Sequence, residues 1–358
     1  MRSARHHLES LDAFRGITIA GMIVVNNPGN WDRVYAPLLH ADWNGCTIAD
    51  LVYPFFIVIL GVALPFALSR RRASGHEIRR FYGRFARRAV LLFGLGFLLN
   101  LVAARFSLSA VRVPGVLQRI AVVYFVAAAI ALHLKPHQRA GVAVALLAVH
   151  TLLLTLAPMT PTATVATRLD RAVFGAHTLT PVGPDPEGVL GTLTAIASAL
   201  IGTLAGDWLR RESAPLPRIG GLLAGGAALA VGGYAWSFVL PLNKPLWTAS
   251  YTLLTGGLAI VGLALSYAII DVVAIRAWAR PFVWLGVNPL AIYFLAEFVG
   301  HLLDSTGAKT WLYWTELRSI VMPPLGESQT SLLFAVLTIV IWTVVAGVMY
   351  RRGVRVQV

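Results

Sequence analysis

The chain has 358 residues, of which 57% are hydrophobic and only 13% charged, against about 25% charged in an average soluble domain. That composition excludes a single soluble domain and a disordered chain, and the lone cysteine, Cys46, excludes an internal disulfide. A formal charge of +14 would suit nucleic acid, but the arginines gather in short segments between apolar runs, the pattern by which a membrane protein sets its orientation.

Apolar runs recur along the whole length, each near the ~20 residues a helix needs to cross lipid. They predict an all-α polytopic helix bundle with about ten transmembrane helices, in one domain over residues 1–358. The predicted spans are residues 14–25, 48–68, 89–104, 116–134 and 140–157, then, after a long loop at 158–188, residues 189–209, 219–240, 246–270, 281–303 and 332–350. The first is read as a retained signal anchor, because Asn26, Asn27 and Pro28 follow it where a small-x-small cleavage site would stand. Residues 311–318, with Trp311, Tyr313 and Trp314, suit an interfacial helix. Gly202 with Gly206, and Gly221 with Gly225, have the spacing that lets helices approach closely in lipid.

Alternate loops differ in basic residues. Twenty lie on one side, eight of them between Arg70 and Arg88, and eight lie on the other. The richer side is expected to be cytoplasmic, and an even number of spans puts both termini there. No Cys/His cluster has metal-ligand spacing, so no metal is expected.

Polar residues that lipid should exclude cluster on the outer side. Asn26 and Asn27 end the first span; His40, Asp42, Trp43 and Asn44 follow, and Asp50 lies just inside the second. Asp185 and Glu187 precede the sixth span, Asn243, Lys244 and Trp247 join the seventh to the eighth, and Asn288 and Glu297 lie in the ninth. An ionisable residue inside a span is a functional hypothesis, yet each has a bland reading. Asp185-Pro186-Glu187 taken alone reads as a helix start, with Asp as N-cap and Pro at N1. Trp43 could anchor at the interface, and a lone loop histidine is usually only solvated.

The combination is more specific. Ser10-Leu11-Asp12-Ala13-Phe14-Arg15-Gly16, His40-Ala41-Asp42-Trp43-Asn44-Gly45 and Ala49-Asp50-Leu51-Val52-Tyr53-Pro54-Phe55-Phe56 resemble signatures of the heparan-α-glucosaminide N-acetyltransferase family. So do Arg112-Val113-Pro114-Gly115-Val116-Leu117-Gln118-Arg119, Asp185-Pro186-Glu187-Gly188, Asn243-Lys244-Pro245-Leu246-Trp247-Thr248 and Gly286-Val287-Asn288-Pro289-Leu290. The resemblance implies a bacterial relative in the inner membrane, without the lumenal domain and extra span of eukaryotic members. It implies transfer of acetyl from cytoplasmic acetyl-CoA to the amine of an extracytoplasmic glucosamine-type sugar. His40 matches the family's active histidine and Asn26 its active-site asparagine, with Asp50 as a third catalytic candidate. Trp43, Asn44, Asp185, Glu187, Asn243, Lys244 and Trp247 are expected to bind the sugar, and Arg112, Gln118, Arg119 and Asn288 the CoA. Expected partners are the amino sugar, membrane lipids and a second copy of the chain in a homodimer, with no nucleic acid.

The residues suit that chemistry. A basic inner surface would attract CoA phosphates. His40 could take the proton of an attacking amine or carry the acetyl itself, Asn26 could donate to the oxyanion, and Trp43 and Trp247 could stack on a sugar. An amino-sugar transporter, or an acyltransferase acting on another envelope glycan, is the alternative.

Overall fold

The computed structural model describes residues 8–68, 75–180, 182–211 and 214–356. Among them every regular element is helical: α1 (Glu9–Asn26), α2 (Ile48–Leu68), α3 (Gly75–Ala103), α4 (Val116–His133), α5 (Pro136–Leu154), α6 (Val165–Phe174), α7 (Val189–Leu209), α8 (Pro215–Trp236), α9 (Ala249–Ser266), α10 (Arg280–Val287), α11 (Pro289–Ser305), α12 (Ala308–Trp311), α13 (Arg318–Leu325) and α14 (Glu327–Arg351). Eight described helices are long and apolar enough to cross a membrane, and α10 with α11 makes a ninth if counted as one span bent by 85°. The remaining predicted span is α1, which has 18 residues but carries Glu9, Asp12 and Arg15 in its first two turns. The acids sit at the helix end where the dipole favours them, and Arg15 pairs with Asp12 at 2.9 Å.

In lipid, apolar surface alone does not drive helices together, so packing rests on close approach. A Cβ added at Gly202 would lie 2.0 Å from the Val58 carbonyl, and one at Gly206 2.4 Å from that of Val62. The predicted Gly202–Gly206 face is therefore the seam between α7 and α2. The predicted Gly221–Gly225 face is not a helix seam: Gly221 sits on the Trp208 ring and Gly225 meets open space, while α8 packs on α9 through Gly226 and Gly233.

Other differences follow from polar residues that composition misplaces. The arginine-rich segment is helical from Gly75, and its cations lie along α3, with Arg84 over Phe81 at 4.8 Å and Arg88 over Tyr124 at 4.7 Å. Arg2, Arg5 and Arg70 to Arg72 lie outside the described residues. The 158–188 loop contains α6, capped by Thr164, whose side chain accepts from the Thr167 N–H. The eighth span starts at Ala249, because residues 243–248 form a tight loop. Residues 311–318 pass from α12 through a π-helical turn, Leu312–Leu317, to α13.

Ion pairs divide the bundle into two ends. At one, Arg276 meets Glu9 and Arg139 meets Asp207. At the other, Arg33 meets Glu327, Arg112 meets Asp185 and Glu187, and Lys244 meets Asp50. Every cation named at the first end belongs to the basic-rich set of loops, and every one at the second to the basic-poor set.

Candidate active site

The site begins with a helix start. Thr47 precedes α2, and Asp50, in its first turn, turns back so that its Oδ2 accepts the N–H of Thr47 at 3.0 Å, one of the two bonds of a capping box. The same oxygen accepts the Ala41 N–H at 3.1 Å, with the Thr47 hydroxyl shared between it and the Leu39 carbonyl. Asp50 is wholly buried. Its remaining oxygen, Oδ1, lies 2.8 Å from Nδ1 of His40, whose side chain is 46% exposed. Nδ1 therefore carries the proton, and the lone pair of Nε2 faces outward. A carboxylate that fixes the tautomer and would stabilise the imidazolium is what a histidine base requires.

Lys244 completes the group. Its Nζ lies 3.0 Å from Nδ1 and 3.2 Å from Nε2 of His40, and 3.4 Å from Oδ1 of Asp50. One ammonium cannot align with both ring nitrogens. Nearly equidistant from the two, Nζ lies against the imidazole rather than in line with the lone pair of Nε2, which stays open. Burial pulls the Lys244 ammonium below the ordinary lysine range, against the opposing fields of Asp50 and Glu187. Next to it, burial and then Asp50 push the Cys46 thiol up to about 12.

The lysine's position is set by its loop. The side chain of Asn243, wholly buried, accepts the Leu246 N–H at 2.8 Å and donates to the Trp43 carbonyl at 3.0 Å and the Asn44 side chain at 3.2 Å. The Gly45 N–H donates to the Leu242 carbonyl at 2.8 Å. Trp43 donates to the Met159 carbonyl at 3.1 Å. Farther back, Ser331 at the start of α14 exchanges hydrogen bonds with Asn30. The loop carrying His40 is thus held at both ends and in the middle, as a catalytic group requires.

The expected residues do not all converge here. Trp247 is not a sugar platform: it is 0% exposed, edge-on to Tyr53 and Tyr251, covered by Arg119 at 4.9 Å, and bonded through Nε1 to Ser198. Its φ of +52° lies in the left-handed region, which costs a non-glycine residue roughly 1–2 kcal/mol. The buried ring holds the loop in that shape and so aims Lys244. Asn26 donates from Nδ2 to Oε1 of Glu297 in α11 at 2.9 Å.

The Asp185 reading as an N-cap is also corrected. The N-cap of α7 is Gly188, and the carboxylate serving the first turn is Asp170 of α6, whose Oδ1 accepts the Val189 N–H at 2.9 Å. Asp185 instead binds Arg112 and the N–H groups of Leu179 and Glu187. Glu187 shares the same guanidinium. Burial opposes both charges, but the mutual pairing outweighs it, holding Arg112 above and Asp185 below their ordinary values.

The four residues expected at CoA are scattered. Arg112 is engaged by two carboxylates and has no free charge for a phosphate. Gln118 is buried and donates to the Val113 carbonyl at 3.1 Å. Arg119 is 2% exposed and reaches the Gly188 carbonyl at 3.1 Å. Asn288 lies at the break between α10 and α11, where it donates to the Val354 carbonyl at 2.9 Å and accepts the Val356 N–H at 2.7 Å. Val354 follows the end of α14 opposite the His40 loop. Among the described residues no group of three or more His, Cys, Asp or Glu could hold a metal. Two apolar cavities of about 530 Å³ each lie away from the site, one beside α11 and α14, the other among α5, α7 and α8.

Sequence reasoning missed Asp170, Tyr251 and His150. Tyr251 donates to the Asp50 carbonyl at 2.5 Å and His150 contacts the Leu246 carbonyl at 3.0 Å, so both brace the loops from below. The Thr164 cap motif could have revealed α6, and with it Asp170.

Comparison with known proteins fits this arrangement. Residues 7–215 match the family described as "Heparan-alpha-glucosaminide N-acetyltransferase, catalytic". The human protein "Heparan-alpha-glucosaminide N-acetyltransferase" is 30% identical over 82% of this chain and 52% of its own length. The mouse protein of the same name is 26% identical over 98% of this chain and 60% of its own length. The chain thus spans little more than half of these relatives.

Proposed function

This chain belongs to the heparan-α-glucosaminide N-acetyltransferase catalytic family, and from that premise and the geometry around His40 we propose that it is a membrane acetyltransferase moving acetyl from acetyl-CoA to the amine of a glucosamine-type sugar. The observation that carries the reading is the pairing of His40 Nδ1 with buried Asp50 at 2.8 Å, which leaves Nε2 as an open base in a clamped loop.

In the proposed reaction the sugar's neutral amine attacks the thioester carbonyl, Nε2 takes the proton, and Asp50 stabilises the imidazolium. The proton then passes to the departing thiolate. Asn26 has a second N–H beyond the one given to Glu297, and that group is the proposed donor to the oxyanion. Trp43, Asn44 and Lys244 line the acceptor side, held by buried Asn243, with Arg112, Asp185 and Glu187 as the charged wall behind them. An acetyl-His40 intermediate uses the same Nε2 as nucleophile.

The basic-rich end is proposed to face the cytoplasm of a bacterial inner membrane and to draw the CoA phosphates. Assembly as a homodimer is part of the same reading. The bend at Asn288 favours a second reading, an amino-sugar transporter, since broken helices line transport sites. Both polar atoms of that asparagine are, however, taken by the Val354 and Val356 backbone.

The test is incubation of purified protein with labelled acetyl-CoA and a panel of glucosamine, chitosan oligomers and de-N-acetylated peptidoglycan fragments, followed by mass spectrometry. The expected result is an N-acetylated sugar with one free CoA released per transfer. Sugar uptake into proteoliposomes without any thioester cleavage would establish the transporter instead.

A further inference from the structure

We propose that Lys244 is itself an acetyl acceptor: without a sugar amine, the protein transfers acetyl from acetyl-CoA to the ε-amine of Lys244, which occupies the place the sugar's amine takes during turnover. The inference rests on the acetyl-transfer reading above and adds a modification site to it.

A primary amine that His40 is to deprotonate must come within reach of Nε2, and Nζ of Lys244 lies 3.2 Å from it and 3.0 Å from Nδ1, against the imidazole, where a side-chain rotation brings it in line with the Nε2 lone pair. The structure around it keeps the amine at the ring. The lysine side chain is 14% exposed, its loop is pinned by Asn243, and Trp247 is locked beneath it in a left-handed conformation. The charged and titratable groups around Nζ come from three other segments: His40 and Cys46 from the loop before α2, Asp50 from α2 and Glu187 from the loop before α7. Burial outweighs the acidic neighbours and draws the amine toward its neutral, nucleophilic form. A lysine ε-amine and the amine of a glucosamine are both primary amines, so a site built to activate one activates the other.

The step balances. The Lys244 Nζ–carbon bond forms as the carbon–sulfur bond of the thioester breaks. One proton leaves Nζ for Nε2 of His40 and passes from there to the CoA thiolate. The products are N-acetyl-lysine and free CoA. The acetylated side chain has lost its charge and its attraction to Asp50, and it fills the acceptor position. Modification therefore switches the site off and is slowed by sugar that outcompetes the lysine.

The chain has three lysines, Lys135, Lys244 and Lys309, so the other two are internal controls. Protein purified in detergent is incubated with labelled acetyl-CoA and no sugar, treated with hydroxylamine, which strips acetyl from an imidazole but not from an amide, and then mapped by tandem mass spectrometry. The expected result is hydroxylamine-stable acetyl on Lys244, at least ~100-fold slower in His40→Ala, suppressed by saturating acceptor sugar, and undetectable on Lys135 and Lys309. Lys244→Arg should remove the stable label. Thermal unfolding of both variants checks that they remain folded, and the wild-type map stands without them. Unmodified Lys244 in a preparation that acetylates a sugar overturns this proposal and leaves the proposed function standing. Equal label on all three lysines overturns it as non-enzymatic acetylation. No transfer to sugar or lysine overturns both.

Discussion

The two ends of the bundle balance charge to different degrees. At the His40 end, cations meet carboxylates from distant parts of the chain: Arg33 with Glu327, Arg112 with Asp185 and Glu187, Lys244 with Asp50. At the arginine-rich end Arg276 meets Glu9 and Arg139 meets Asp207, but Arg84 and Arg88 lie along α3 over aromatic rings, and the described acids are few beside the cations. The pairs of Arg112 and Lys244 are largely buried, and such pairs fix geometry because breaking them is expensive. A surplus of one sign creates a field that gathers anions and orients the protein in a membrane. One end is built to hold atoms still and the other to attract.

The largest effect should come from removing the base. His40→Ala is expected to lower sugar acetylation by about 10²–10⁴-fold with little change in thermal stability, since the ring is half exposed. Retention of more than half the turnover at saturating substrates would sink the assignment. Asp50→Asn comes next. Its amide cannot accept from Ala41 and Thr47 and also from Nδ1, so either the helix start or the histidine tautomer is wrong. The expected loss is part of the roughly 10²–10⁴-fold that a positioned general base supplies, seen in kcat with the KM for acetyl-CoA unchanged.

Arg112→Ala tests rigidity rather than chemistry. It strands two buried carboxylates, and the expected cost is about 3–5 kcal/mol, read as a clear fall in the unfolding temperature in detergent. An unchanged unfolding temperature would show that the cluster does not hold this end together. Asn243→Ala leaves the Leu246 N–H and the Trp43 carbonyl unpaired, for roughly 1–3 kcal/mol, and kcat should fall as the His40 loop loosens.

The smallest effect is a silence. Cys46, with its thiol pushed up to about 12 by burial and Asp50, should resist maleimide at neutral pH, so new cysteines can report orientation against it. Ala176→Cys, exposed beyond α6, should label from outside intact cells, and Arg352→Cys only after lysis. The reverse pattern would turn the molecule over.

Much of this contrast was legible in the sequence because it is written in composition. Charge-poor apolar runs and the uneven count of basic residues need no partner to be read. The Gly202–Gly206 spacing marked a true seam, but the same spacing at Gly221–Gly225 did not, because only the neighbouring helix decides which small residues it meets; Asp50 was visible as a carboxylate just inside an apolar span. Lys244 beside His40 is different. The two lie 204 residues apart, and no local pattern encodes which loop a lysine reaches. Asp185 misled for a related reason. Asp-Pro-Glu before an apolar run has the form of a cap, but a long-range partner, Arg112, claimed the carboxylate and left the capping to Asp170. Trp247 was named for its chemistry, and packing took it for the core.

The seating of α1 has a consequence in time. A Cβ at Gly16 would fall 1.8 Å from the Phe282 carbonyl, and one at Gly286 1.7 Å from that of Asp12, so α1 and α10 touch backbone to backbone. The Ser10 N–H is bonded to Asp271, 261 residues later. A ribosome adding about 5–20 residues per second needs roughly 13–50 s to cover that interval. For those seconds α1, bearing Asp12 and Arg15, exists without its final neighbour, so the backbone contact that seats it is among the later ones the chain can make.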